Sequence, residues 1–215
     1  MLKKIASLAA ILVLLAACQA TDRVDVDMLA AGTALEFPEL SCARHGRPNG
    51  EPARLTAQRV SPGHTAYIEF RQRLSPAIPS GHLYVVFGRL DDGGQPVTRN
   101  YIGLYPAGYL LGLYGGAVVP MPANLAPNYA DCRFRTQAAY RVSLSEAQYR
   151  RLTREVRRVL ADPPRWHMAA YNCNHFGASL GTVVGLQAPR NWLLPAFAYI
   201  HALIEANEGP RGDGA

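Results

Sequence analysis

The chain has 215 residues, of which 49% are hydrophobic and 18% charged, and its formal net charge is +6. This composition excludes an intrinsically disordered protein, and the length fits one domain with a single sizeable core.

The first eighteen residues have the three parts of a secretory signal. Lys3 and Lys4 give a positive start, an apolar stretch runs over residues 5–15, and Ala16 and Ala17 precede Cys18. The apolar stretch is too short for a membrane span, which needs about 20 residues. The Leu-Ala-Ala-Cys segment resembles the bacterial lipobox. This resemblance implies a signal peptide over 1–17 and a lipid anchor on Cys18; an ordinary signal peptide with an incidental cysteine is the alternative.

The expected location follows from this anchor. In Gram-negative lipoproteins an Asp after the acylated cysteine tends to retain the protein at the inner membrane, so Gln19 favours the outer membrane, facing the periplasm. Several acyl chains give stable anchoring, which makes the membrane an expected partner. A periplasmic protein meets little nucleic acid, so we expect no nucleic-acid partner. The sequence does not indicate an oligomeric state.

Cysteine usage predicts one disulfide and one free thiol. With Cys18 acylated, Cys42, Cys132 and Cys173 remain. An odd number in an oxidising compartment leaves one thiol over. Cys42 and Cys132 lie in polar, loop-like surroundings, so we expect them to pair and leave Cys173 free.

The N-terminal half of the chain is typical of a tether followed by turns and strands. Residues 18–36 are a polar, then Ala-rich tether, and 37–80 form a proline-rich N-terminal extension with one predicted strand, 66–70. A strong strand over 82–87 is followed by Asp-Asp-Gly-Gly, which predicts a hairpin. Its second strand is expected over 97–104.

Further along, the sequence predicts a Gly-rich loop and two more short strands. The loop spans 108–116, and the strands are expected over 117–119 and 140–144. Together with the helices below, these strands predict an α+β domain over 81–207, built on a small antiparallel sheet. Residues 208–215 are expected to be a disordered tail.

Three helices are expected after residue 144. The first begins at Ser145, where Ser145 and Gln148 form a capping box, and ends before Asp162. The second runs over 173–184, and Pro195 opens the third.

The segment Tyr171-Asn172-Cys173-Asn174-His175-Phe176-Gly177 places a cysteine in the first turn of the second helix, with Asn172 as its cap. A helix N-terminus stabilises a thiolate and lowers its pKa. Its free N–H groups also stabilise an oxyanion. This pattern predicts a reactive nucleophile.

A cysteine nucleophile needs an imidazole partner. His82 opens a strand after Gly81 and is the favoured candidate, although a histidine at a strand start is more often structural. His175 is two positions from Cys173 and does not face it on a helix. His167 lies in a loop of uncertain path.

The strand Gly81-His82-Leu-Tyr-Val-Val-Phe-Gly88 and the later Tyr-Asn-Cys-Asn-His-Phe segment resemble the circularly permuted papain-like proteins of the NlpC superfamily, in which the histidine strand precedes the cysteine helix. The resemblance covers about residues 81–203. It implies Cys173 as nucleophile, His82 as general base and a third polar residue that orients the imidazole. Asn100 is the choice for this residue, with Thr98 and Tyr101 as alternatives.

Tyr171 resembles the tyrosine often found before the nucleophile, where its hydroxyl polarises the substrate carbonyl; a core aromatic with a solvated hydroxyl is the alternative. The family implies a cysteine hydrolase that cleaves amide bonds, and in the envelope the default substrate is a peptidoglycan stem peptide. Two alternatives stay open: a lipid-ester hydrolase or acyltransferase of the same fold, and a non-catalytic envelope binding or structural lipoprotein. No cofactor is expected. No zinc pattern fits His167, Cys173 and His175, so no metal is expected either.

Overall fold

The computed structural model describes residues 36–75 and 78–209. The predicted signal peptide, the predicted anchor at Cys18 and the predicted tether up to residue 35 lie outside the described residues. Residues 210–215 of the predicted tail over 208–215 lie outside them as well.

The strands are β1 (Ala57–Arg59), β2 (Ala66–Ser75), β3 (Ile78–Arg89), β4 (Asn100–Ile102), β5 (Tyr105–Pro106), β6 (Ala123–Asn124) and β7 (Ala138–Leu144). Five of them form the central sheet, in the order β1-β7-β2-β3-β4. β1 pairs with β7 in parallel, and all other neighbours in this sheet are antiparallel. A second, two-stranded sheet joins β5 and β6.

Five α-helices accompany the sheet within the described ranges. They are α1 (Tyr109–Gly115), α2 (Tyr129–Arg133), α3 (Glu146–Ala161), α4 (Cys173–Val183) and α5 (Ala196–Glu208). The last three are the predicted helices, and the Ser145–Gln148 capping box of α3 is present. The protein is therefore of the α+β class. Its sheet is mixed rather than purely antiparallel, because β1 joins β7 in parallel.

The predicted extension over 37–80 contributes to the same sheet as the predicted domain. β2 lies between β7 and β3 and pairs with both along most of its length. The Cys42–Cys132 disulfide is confirmed, with the two Cα atoms 5.5 Å apart. It joins the segment before β1 to α2.

Two local predictions are wrong. The predicted loop over 108–116 contains α1, and the predicted strand over 117–119 is a turn. Glycine-rich sequence favours a loop, but here glycine permits a close approach: a Cβ on Gly112 would lie 1.8 Å from the Ala107 carbonyl oxygen. The N–H groups of Val118 and Val119 then donate to the Gly115 carbonyl and form the turn instead of a strand.

Candidate active site

Cys173 is the first residue of α4, as predicted. Asn172 caps this helix: its side-chain oxygen accepts hydrogen bonds from the N–H groups of Asn174 and His175, at 3.0 and 3.3 Å. Helix α4 packs closely on β3, since a Cβ on Gly177 would lie 2.3 Å from a methyl carbon of Leu83. The glycine thus allows the helix start, and with it Cys173, to come close to the beginning of β3.

The two asparagines beside Cys173 hold the helix start against the loop before α5. The Asn174 amide donates to the carbonyl oxygens of Trp192 and Leu194, at 3.0 and 2.9 Å. The Asn172 amide donates to Trp192 as well, at 3.2 Å. The residues before and after Cys173 therefore both anchor it to the loop before α5.

His82 lines the same cavity as Cys173. Its side chain is buried, and its Nε2 atom has no hydrogen-bond partner in the part of the chain that the structure describes. The backbone N–H of the next residue, Leu83, interacts with the Cys173 sulfur. The fold thus places Cys173 and His82, which are about ninety residues apart in sequence and were predicted to act as a pair, in the wall of one cavity. No hydrogen bond joins the two side chains among the described contacts.

The cavity has a volume of about 640 Å³. Its wall is mainly apolar, and its polar groups include Arg73, His82, Tyr105, Asn128 and Cys173. Apolar side chains at the wall are Leu104, Leu110, Leu113, Trp166, Leu193 and Leu194. Among the described lining residues Arg73 is the single arginine or lysine. A concave, mostly apolar site with a few convergent polar groups is typical of a small-molecule or substrate site.

A buried polar network lies on one side of His82. The Asp131 carboxylate accepts hydrogen bonds from the Arg73 guanidinium, at 2.7 Å, and from the Tyr105 hydroxyl. The Tyr105 ring is tilted against the His82 ring, with 4.3 Å between the ring centroids. A Cβ on Gly103 would lie 2.6 Å from the Tyr105 oxygen, so glycine there leaves room for the tyrosine to reach Asp131.

The electrostatics of the pair differ from the sequence prediction. Burial raises the pKa of the Cys173 thiol, although the N–H groups of Leu83 and Asn174 and of Cys173 itself oppose that rise. Burial, together with the nearby Arg73 charge, holds the pKa of His82 well below its usual value. The predicted low-pKa thiolate is therefore wrong for this state: desolvation outweighs the helix N-terminus. Both shifts favour the uncharged forms, the thiol of Cys173 and the neutral imidazole of His82.

Asn100 and its alternatives are not brought to the cavity. Asn100 pairs with Phe87, which is five residues along β3 from His82, or about 16 Å at the usual rise per residue. Its amide donates to the Phe87 carbonyl at 3.2 Å. Tyr101 lies in the same short strand, and the Thr98 hydroxyl accepts from the Arg89 N–H. The predicted orienting role of Asn100 therefore finds no support in the structure.

Tyr171 stands beside the helix start but outside the cavity wall. Its ring lies against His175, with 5.6 Å between centroids, and the His175 ring stacks in turn on Trp192. The His175 Nδ1 accepts a hydrogen bond from the Asn172 N–H, which makes His175 part of the cap of α4. The geometry gives Tyr171 a packing role.

His167 also has a local structural role, because its Nδ1 accepts hydrogen bonds from the N–H groups of Ala169 and Ala170. Across residues 36–75 and 78–209, no three His, Cys, Asp or Glu side chains are grouped as metal ligands.

Sequence reasoning missed Arg73, Tyr105 and Asp131. Two signals for Asp131 were present: it directly precedes the disulfide cysteine Cys132, and it is the third helical residue after Asn128, with which it forms a capping box. Tyr105 carried no signal of its own, because its ring contact with His82 depends on how the chain runs from β4 to β5.

No protein family, curated protein or solved structure gives a significant match to this chain. None of the helices in the described ranges is both long and apolar enough to cross a bilayer.

Proposed function

We propose that the protein is an envelope-anchored cysteine hydrolase that works through an acyl-enzyme on Cys173 with His82 as general base. One observation carries the proposal: Cys173 at a helix N-terminus and a buried His82 with an unpartnered ring nitrogen line one cavity. Nucleophile and base in one partly apolar site are the minimum set for thiol-dependent acyl transfer.

The mechanism starts from a neutral pair. As the Cys173 sulfur attacks the substrate carbonyl carbon, His82 accepts the thiol proton, and a C–S bond forms. The tetrahedral intermediate collapses when the C–N or C–O bond breaks, and the leaving group takes the proton from His82. Water then cleaves the thioester, with His82 again as base, and regenerates the thiol. A neutral imidazole is the form that a general base requires.

In this proposal Tyr105 and Asp131 take the orienting role predicted for Asn100. The Tyr105 ring limits the rotation of the His82 ring, and Asp131 holds the Tyr105 hydroxyl. Burial and the Asp131 charge raise the pKa of Tyr105 well above its usual value, so the hydroxyl stays a donor. Asp131 is itself fixed by Arg73 and by the Asn128 N–H, at 2.7 and 2.9 Å.

The substrate class divides into two candidates. Location favours the amide bonds of peptidoglycan stem peptides. The cavity wall favours a lipid ester or acyl-transfer substrate, because its leucines and Trp166 suit an apolar chain. Stem peptides carry carboxylates, and the cation at the wall, Arg73, is already paired with Asp131.

The test is acyl-enzyme trapping. We expect intact-mass spectrometry to show an acyl adduct on wild-type protein after incubation with a short-chain thioester or p-nitrophenyl ester. The adduct should be absent from Cys173→Ala and strongly reduced in His82→Ala. Parallel assays with purified peptidoglycan and with phospholipid then assign the substrate. A wild-type protein that forms no adduct with any of these acyl donors would leave a binding module as the function.

The family and the anchor belong to the same proposal. The order of histidine strand and cysteine helix supports a permuted papain-like domain of the NlpC superfamily, and the lipobox supports acylation of Cys18 and an outer-membrane location facing the periplasm. Cys18→Ala should abolish incorporation of labelled palmitate and leave unprocessed or mislocalised protein. Normal labelling of that variant would contradict the anchor.

A further inference from the structure

An exposed apolar surface lies beside the mouth of the cavity. It consists of Leu110, Leu111, Tyr114, Val118 and Val119, which belong to α1 and the turn after it, and we call it the apolar ridge. Leu111 and Val118 are 84% and 79% exposed. Leu110 both belongs to the ridge and lines the cavity.

The sequence around the ridge is uncharged over a long distance. From Asn100 to Ala130 the chain contains no Asp, Glu, Lys, Arg or His. Water-exposed helices and turns usually carry charges, and a contiguous exposed apolar patch marks an interaction site. The ridge is therefore a candidate interaction surface.

More apolar side chains continue the surface around the cavity mouth. Met168 and Leu193 line the cavity and are exposed, and the Met168 N–H donates to the Gly116 carbonyl beside the ridge turn. Exposed Tyr129 lies at the same mouth. Tyrosine is enriched where proteins meet the headgroup level of a bilayer.

Cations stand at the edge of this surface. The Arg165 guanidinium donates to the Pro120 carbonyl directly after the ridge turn, at 2.6 Å. The Arg133 guanidinium lies over the Tyr129 ring, 5.6 Å from its centroid. An apolar face bordered by arginine is typical of proteins that lie in the interface of an anionic membrane.

We propose that the apolar ridge inserts into the lipid bilayer and so places the cavity mouth at the membrane surface. We choose a bilayer as the partner because the proposed lipid anchor would hold the protein at a membrane. The segment from Cys18 to Glu36 spans about 60 Å at most, so an anchored domain stays within that distance of the bilayer. The ridge then selects substrates whose acyl part is held in the membrane. This substrate step rests on the proposed hydrolase function, whereas the docking surface does not.

The experiment separates the ridge from the lipid anchor. The mature chain from residue 18 with Cys18→Ser carries no acyl group and is mixed with vesicles of phosphatidylethanolamine and phosphatidylglycerol. We expect co-sedimentation that weakens about tenfold or more in Leu111→Glu/Val118→Glu. The matched control is Val60→Glu, which changes a 60% exposed valine next to β1 and should bind like the parent.

Three outcomes would overturn the docking surface. They are a parent protein that stays in the supernatant, a ridge variant that sediments like the parent, and a parent whose ridge forms a dimer in solution that the two glutamates dissociate. Circular dichroism checks that the variants are folded. Because Leu111 and Val118 lie outside the cavity wall, acyl-adduct formation with a soluble ester should be unchanged in the ridge variant. Loss of that adduct in the parent would count against the hydrolase and not against the ridge.

Discussion

The two faces of the central sheet bury different kinds of side chain. The face toward α3, α4 and α5 is apolar, with Phe70, Leu83 and Val85 in its core. The opposite face buries charge: Glu69 forms ion pairs with both Arg71 and Arg141, and all three side chains are largely inaccessible.

The candidate site takes one residue from each face of the sheet. Cys173 comes from a helix on the apolar face, while His82 belongs to the polar face, where its ring is parallel to that of Tyr84 at 6.3 Å. Side chains alternate along a strand, so Leu83 points into the apolar core and its neighbours His82 and Tyr84 do not. The apolar face therefore contributes the N-terminus of α4 with Cys173. The polar face contributes the imidazole of His82, which packs against neighbouring aromatic rings.

The largest expected effect is on the apolar face. Cys173→Ala removes the nucleophile, so we expect hydrolysis to fall by about 10⁴-fold or more. A small residue at a helix start disturbs little packing, so the free energy of unfolding should change by less than about 1 kcal/mol. Ester hydrolysis and chemical denaturation measure the two quantities. Substantial activity in this variant would show that Cys173 is not the nucleophile.

On the polar face the largest effect is on stability. Asp131→Asn leaves the buried Arg73 guanidinium without a counter-charge, which should lower the free energy of unfolding by about 3–5 kcal/mol. The control is Glu146→Gln, which breaks an exposed pair with Arg89 and should cost less than about 1 kcal/mol. Equal costs for the two variants would contradict the buried network.

Tyr105→Phe tests whether the polar face positions the base. The change removes the hydroxyl held by Asp131 and keeps the ring beside His82. We expect kcat to fall about tenfold with little change in KM, because the imidazole is less well oriented. Tyr67→Phe is the matched control: it removes a hydroxyl bonded to the Thr98 carbonyl on the same face and should leave kcat unchanged. A similar loss of kcat in both variants would indicate that removing either hydroxyl disturbs the packing of this face, and that Tyr105 has no specific role in positioning His82.

The buried neutral His82 also predicts acid sensitivity. Its pKa in the folded state is well below its usual value, so the unfolded chain binds the proton first as pH falls. The stability contribution is fully present above about pH 6.5 and is lost as pH falls toward the folded pKa. His82→Gln should flatten this dependence in denaturation curves. An unchanged slope would show that His82 is not the group responsible.

The smallest effect is expected for the residue that the sequence favoured as the orienting group. Asn100→Ala removes an amide bonded to Phe87 and should cost about 1 kcal/mol of stability, with kcat/KM changed by less than about twofold. A large loss of kcat/KM without loss of stability would show that Asn100 does contribute to catalysis.

The parts predicted from sequence are those with local signals. Capping residues and periodicity located α3, α4 and α5, and cysteine arithmetic gave the Cys42–Cys132 pair. The tertiary contacts around the site left no such signal. Tyr105 and Asp131 are far apart in sequence from His82 and from each other, and the cost of burying Cys173 depends on the packing around it. The pKa prediction failed for that reason.

The central claim is that His82 activates Cys173, and the rate of Cys173 alkylation by iodoacetamide tests it most directly. Near neutral pH the wild-type protein should react faster than His82→Ala, because the imidazole removes the thiol proton. At a pH above the raised pKa of the Cys173 thiol the two rates should converge, because the thiolate then forms without a base. Equal rates in the two proteins at every pH would contradict the account.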